Sequence, residues 1–85
     1  MWSVTYTADA IKSLSGMDPR IAKQIRSKIL GLARDPSAPN NNIKRLTGVD
    51  GFRLRVGDWR VIYALRHQAS TVVVIKLGHR SEVYE

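Results

Sequence analysis

Apolar and polar residues alternate through "FRLRV" and "WRVIY", on either side of Gly57 and Asp58, which is the pattern of two half-buried strands joined by a two-residue turn. Pairing across that turn sets Val56 against Trp59, Arg55 against Arg60, Leu54 against Val61, Arg53 against Ile62 and Phe52 against Tyr63. Side-chain alternation then sends Phe52, Leu54, Val56, Trp59, Val61 and Tyr63 to one face, and Arg53, Arg55, Arg60, Ile62 and Ala64 to the other. The hairpin is amphipathic, and its polar face is cationic.

The same patterning divides the rest of the chain. "WSVTY" predicts a strand over residues 2–6, and Thr7 is a candidate N-cap for a short helix carrying Ala10, Ile11 and Leu14 and closed by Gly16. A second helix starts at "MDPR", with Asp18 as cap and Pro19 at the first helical position, where its missing N–H costs nothing. Ile21, Ile25, Ile29 and Ala33 recur at four-residue steps, with Ala22, Leu30 and Leu32 widening the stripe that faces the core. Arg20, Lys23, Arg26, Lys28 and Arg34 occupy the outer surface and read as a solvated face. "DPSAPNNN" stops the helix and predicts a loop over residues 35–50, pinned to the body by Ile43 and Leu46.

Three strands follow, over residues 51–57, 59–66 and 71–78. The expected fold class is α+β: an N-terminal strand, a two-helix hairpin, then a three-stranded antiparallel meander, with the helices on one face of the sheet. Eighty-five residues suit a single domain over 1–85 with a simple core.

Charge narrows the function. The net charge is +7, and most of the excess lies between residues 43 and 80, where Lys44, Arg45, Arg53, Arg55, Arg60, Arg66, Lys76 and Arg80 face only Asp50 and Asp58. Such a field suits nucleic acid, an acidic protein or an anionic membrane surface. Arg55 opposite Arg60 costs up to about 1 kcal/mol as a like-charge cross-strand pair, a local violation expected where function is served. A solvated sheet face, with arginine stems covering Ile62 and Ala64, is the plainer alternative.

Several chemistries are excluded or disfavoured. Without cysteine there is no disulfide, zinc–thiolate site or thiol nucleophile. The acidic residues are scattered and form no metal-ligating pattern with histidine, and the glycines at 48, 51, 57 and 78 do not compose a phosphate loop, so neither metal nor cofactor is expected. No apolar run approaches a membrane span and no secretory leader opens the chain, which leads us to expect a cytoplasmic protein without membrane contact.

"IKRLTGVDGFRLRVGDWRVIY" and "VVVIKLGHRSEVY" resemble the RelE/ParE superfamily of toxins from bacterial type II toxin–antitoxin pairs. The first carries the family's L-x-G, basic strand and G-x-[YW]-R-[VIL]-x-Y segment; the second carries its G-[HK]-R turn and V-Y ending. The resemblance spans essentially the whole chain. It implies a toxin with a cognate antitoxin, the two forming a toxin–antitoxin hetero-oligomer. RelE-type members are metal-independent endoribonucleases that cut mRNA on the ribosome; ParE-type members share the fold but inhibit DNA gyrase.

The tyrosine of the "SEVY" ending fits the nuclease branch better, so the resemblance implies a RelE-type, ribosome-dependent endoribonuclease, on which Arg60, Arg80 and Tyr84 match the family's catalytic positions. In-line attack by a ribose 2′-hydroxyl on the adjacent phosphate builds negative charge, which a guanidinium fork stabilises. Tyr84 would be the general base, its phenolate favoured by neighbouring arginines, and His79 is a candidate donor to the leaving group. Lys44, Arg45, Arg53, Arg55 and Lys76 are candidate RNA-backbone contacts, and His67 reads as a surface residue. Arginine rather than lysine at 53 and 55 departs from the lysine-rich strand of some RelE enzymes.

Overall fold

The computed structural model describes residues 1–80. Its elements run β1 (Ser3–Tyr6), α1 (Ala8–Ser15), α2 (Pro19–Arg34), β2 (Ile43–Arg45), β3 (Phe52–Val56), β4 (Trp59–Arg66) and β5 (Thr71–His79). Five strands form one sheet in the order β1-β5-β4-β3-β2. The meander β3-β4-β5 is antiparallel, whereas β1 lies parallel to β5, with Ser3 beside Thr71 and Tyr6 beside Val74.

Local chemistry explains the helices. The Thr7 side chain accepts from Ala10 N–H at the start of α1, and the Asp18 carboxylate accepts from Arg20 N–H at 2.8 Å at the start of α2, just before Pro19. Ala22, Ile25, Ile29, Leu32 and Ala33 bury the inner face of α2, and Ala10 and Leu14 that of α1. Against them pack Leu54, Val56, Val61, Tyr63, Val72, Val74 and Leu77 from the sheet. Two residues of the expected stripes point outward instead: Ile11 and Leu30 are about half exposed, at 54% and 48%. Each flanks its helix's buried arc.

The expected loop over residues 35–50 is corrected at one point. Residues Ile43–Arg45 form a short strand, pairing Ile43 with Leu54, Lys44 with Arg53 and Arg45 with Phe52. A polar, proline-flanked segment with one apolar residue has no strand signal of its own; the free edge of β3 supplies its partners. The helix-to-strand link is shaped by Asn40, whose side chain accepts from Asn42 N–H at 2.8 Å and whose carbonyl accepts from Ile43 N–H at 3.1 Å.

The hairpin pairs in the expected register, from Phe52 with Tyr63 to Val56 with Trp59. Gly57 holds φ +58° at the first loop position, a conformation that glycine adopts without steric cost. Strand β5 departs from simple alternation. Ile62 pairs with Lys76 but Tyr63 with Val74, so Ile75 is an extra residue, a β-bulge. Strict alternation from buried Val72 and Val74 would turn Lys76 into the core. The bulge shifts the phase, leaving Lys76 exposed and Leu77 buried.

Thr7 braces that bulge. Its N–H donates to the Val74 carbonyl at 3.0 Å and its hydroxyl donates to the Ile75 carbonyl at 2.6 Å, while the same oxygen caps α1. Thr7→Val removes both side-chain bonds with little change in shape. We expect a loss of about 1–2 kcal/mol, read as a lower urea midpoint.

Tyr63 is 1% exposed, and burial pushes its phenol up to about 12 from the usual 10. The folded chain therefore holds this proton more tightly than the unfolded chain does. Stability from this group is intact below pH ~10 and is lost as pH rises towards 12, by roughly 2–3 kcal/mol in all. Denaturation midpoints measured across that interval should fall more steeply for the parent than for Tyr63→Phe.

Candidate anion-binding face and its arginine cleft

Cross-strand register assembles the basic face in rows. Lys44, Arg53, Ile62 and Lys76 stand side by side on β2, β3, β4 and β5. The next row towards the hairpin turn holds Arg55, Arg60 and Gly78. Gly78 presents no side chain beside Arg60. Arg80, two residues further, continues the same side of the chain, and its N–H donates to the Asp58 carbonyl at 2.7 Å.

At this end of the sheet lies a cleft of about 600 Å³. Arg55, Arg60 and Arg80 line it with Asp58 from the turn, Asn40 and Asn42 from the link before β2, and Gln24 and Lys28 from α2. The cleft therefore reaches from the basic face round the edge of β3, beyond where β2 stops. Among the described residues, four cations line it against a single carboxylate. Its field favours an anion.

Each arginine is held differently. Arg60 is 8% exposed, and its Nη1 donates to the carbonyls of Gly57 and Trp59, both at 3.0 Å. Its guanidinium is thus folded back onto the turn. Arg55 is exposed, and its Nη2 donates to the Asn42 side-chain oxygen at 3.0 Å. Arg80 is exposed and lies 3.9 Å from an Asp58 carboxylate oxygen, a separation worth little in solvent. Drawing Arg55 to Asn42 and Arg60 to the turn separates the two like charges that the register sets opposite each other.

Other expected site residues lie elsewhere. His79 is opposite Trp59 on β4, and their rings meet edge to face with centroids 5.8 Å apart. That row shares the side of Val61 and Tyr63, which the helices cover, so His79 is on the other side of β5 from Arg60 and Arg80. Arg45 sits in the row of Phe52 and Tyr63, with its guanidinium 6.0 Å from the centre of the Phe52 ring. It is not in the row of Lys44. Tyr84 lies outside the described residues. His67 is exposed and touches Trp2 edge to face at the opposite end of the sheet.

Asn42, Asn40, Lys28 and Gln24 were not anticipated as site residues. Lys28 belongs to the basic outer face of α2 and the asparagines to a turn, and no pattern in the sequence ties either to the arginines. Among the described residues, no three of His, Asp and Glu come together in a group suited to a metal ion, and no helix is long and apolar enough to cross a membrane.

A sheet with an N-terminal strand, two helices and a strand meander is the fold of a family of small toxins. The sequence profile of the ParE toxin of type II toxin–antitoxin systems matches residues 4–84, and the chain belongs to this family, within the RelE/ParE superfamily. It is a toxin of a type II toxin–antitoxin system. The chain is 29% identical over 85 residues to toxin RelG of Mycobacterium tuberculosis, covering 98% of this chain and 95% of that protein. A chain of the toxin–antitoxin complex RelBE2 from Mycobacterium tuberculosis superposes with a TM-score of 0.80 at 27% identity, covering 93% of this chain and 98% of that one. A chain of the archaeal RelE–RelB complex from Pyrococcus horikoshii OT3 shares the fold at a TM-score of 0.81 and 22% identity, over 96% of this chain and 98% of that one.

Burial and hydrogen bonding give Arg60 a structural share in the turn. Arg60→Ala should lower stability by about 1–3 kcal/mol in chemical denaturation, because two turn carbonyls lose a charged donor. Arg80→Ala removes an exposed side chain and should change stability by less than about 0.5 kcal/mol.

Proposed function

We propose that this toxin is a ribosome-dependent, metal-independent endoribonuclease that cleaves mRNA by attack of a ribose 2′-hydroxyl on the adjacent phosphate. The observation that carries the reading is the gathering of Arg55, Arg60 and Arg80 in one cleft that runs from the open side of the sheet round the edge of β3. A scissile phosphate there would meet Arg55 and Arg60, whose guanidinium directions are set by hydrogen bonds before it arrives, and Arg80, which Asp58 holds only loosely. Such preorganised donors favour the charge that builds in the transition state, and losing one typically costs on the order of 100-fold in rate.

Arg80, exposed and only weakly engaged by Asp58, is assigned to the phosphate oxygens. Arg60 supplies positive charge from beneath and fixes the turn that carries Asp58. Tyr84 is assigned the 2′-hydroxyl proton: it follows Arg80 by four residues, and the arginines would favour its phenolate. His79 is given no part in the chemistry, because its ring meets Trp59 across the sheet. Lys44, Arg53 and Lys76 form the track along which the RNA backbone would reach the cleft, the ribosome presenting the message.

The partner implied is a cognate antitoxin. The two solved relatives described above are toxin–antitoxin complexes, and a segment carrying acidic residues would complement the basic rows and exclude RNA. A second reading, inhibition of DNA gyrase, is favoured by the match to the ParE profile.

Toeprinting on translating ribosomes separates the two. The parent should produce new message ends, and Tyr84→Phe and Arg80→Ala should each slow their appearance by about 100-fold or more while remaining folded. Intact message together with inhibited gyrase supercoiling would select the second reading. Arg60→Lys, which keeps the charge and loses the fork, is the better probe of Arg60 because Arg60→Ala also weakens the turn.

A further inference from the structure

The Asn-rich segment "NNN", residues 40–42, lies in the link between α2 and β2. We propose that Asn42 is a positioning residue for Arg55, and that Arg55 so held contacts a phosphate of single-stranded RNA in the cleft. The inference rests on the nucleic-acid reading above and extends it to a residue outside the family motifs.

Two bonds tie Asn42 to Arg55. Arg55 N–H donates to the Asn42 carbonyl at 2.8 Å, fixing the backbones side by side just before β2 begins. From that anchor the Asn42 amide oxygen accepts from Arg55 Nη2 at 3.0 Å. Asn42 is itself placed by Asn40, which accepts from its N–H through the side-chain oxygen at 2.8 Å. Asn40, Asn42 and Arg55 all line the cleft.

The chemical type of the acceptor matters. An aspartate would fit the same place, bind the guanidinium more strongly and cancel its charge. An amide oxygen directs the guanidinium and leaves its charge available to an anion. Among the described residues no carboxylate pairs with Arg55, whereas Asp18 pairs with Arg20 on the outer surface and Asp58 approaches Arg80. The guanidinium has five N–H donors, and one bond to Asn42 leaves enough for a phosphate fork.

The test is binding of a 12-nucleotide single-stranded RNA, followed by fluorescence anisotropy from low to moderate salt, for the parent, Asn42→Asp, Asn42→Ala, Arg55→Ala and the double variant Asn42→Asp with Arg55→Ala. Asn42→Asp should weaken binding on the order of tenfold and reduce the slope of log affinity against log salt by about 0.7, the value for one phosphate contact on a single strand. Arg55→Ala should reduce the slope by the same amount, and Asn42→Asp should then add little. Asn42→Ala should weaken binding less than Asn42→Asp, because the charge survives and only its direction is lost. Equal melting temperatures would exclude unfolding as the cause.

A parent that binds RNA while Asn42→Asp keeps the parental slope, or weakens binding as much without Arg55 as with it, overturns the positioning role alone. A parent with no salt-dependent binding to the RNA overturns the nucleic-acid reading of the cleft and the role of Asn42 with it.

Discussion

The phase of strand β5 is the constraint on which the rest of the molecule depends. Val72 and Val74 must point into the core and so must Leu77, an odd number of residues later, which no regular strand permits. The extra residue at Ile75 reconciles them, and Thr7 holds it through the Val74 and Ile75 carbonyls. The same hydroxyl starts α1, so the first helix, the N-terminal strand and the bulge are one mechanical unit. Downstream of the bulge, Lys76, Gly78 and Arg80 fall on the open side and Leu77 and His79 on the covered side. One residue of phase therefore decides which groups can meet a ligand.

Placing like charges in adjacent rows works against folding, and the molecule limits the cost by engaging each guanidinium separately. Arg60 turns back to the carbonyls of Gly57 and Trp59, Arg55 reaches out to Asn42, and Arg80 lies beside Asp58. Arg55 is directed at a neutral amide oxygen, which orients a cation without cancelling it. The apolar face stabilises what the charged face opposes: Phe52 stacks on Tyr63 with ring centroids 5.4 Å apart, and Val61, Val72 and Val74 are fully enclosed. A sheet with one dry and one cationic face sets its positive charge on an apolar support.

Local chemistry made much of this legible. Thr7, Asp18 and Pro19 mark helix starts whatever surrounds them, and period-two alternation around Gly57 and Asp58 specifies the hairpin register and the face its arginines take. Strand β2 escaped notice because Ile43 is its only apolar residue and its pairing comes from the edge of β3. The parallel partnership of β1 with β5 escaped notice because it joins residues nearly seventy apart, as Ser3 beside Thr71. The bulge was invisible for a different reason: "VVVIKL" is rich in β-formers throughout, and nothing within it says where the alternation slips.

By itself the sequence determined an α+β toxin of the RelE/ParE kind, with two capped helices on an amphipathic sheet and Arg53, Arg55 and Arg60 on its open side, because these follow from spacing and from motifs a few residues long. Only the tertiary structure decided which distant residues join them. It brought Arg80 to the hairpin turn, Asn42 to Arg55 and Lys28 to the edge of the same cleft, and it sent His79 to Trp59 and Arg45 to Phe52. It also buried Arg60 while leaving Arg55 and Arg80 exposed. The physical reason is that a side chain's face follows from local alternation, but its neighbours follow from cross-strand register and helix packing, which residues far apart in the chain settle together.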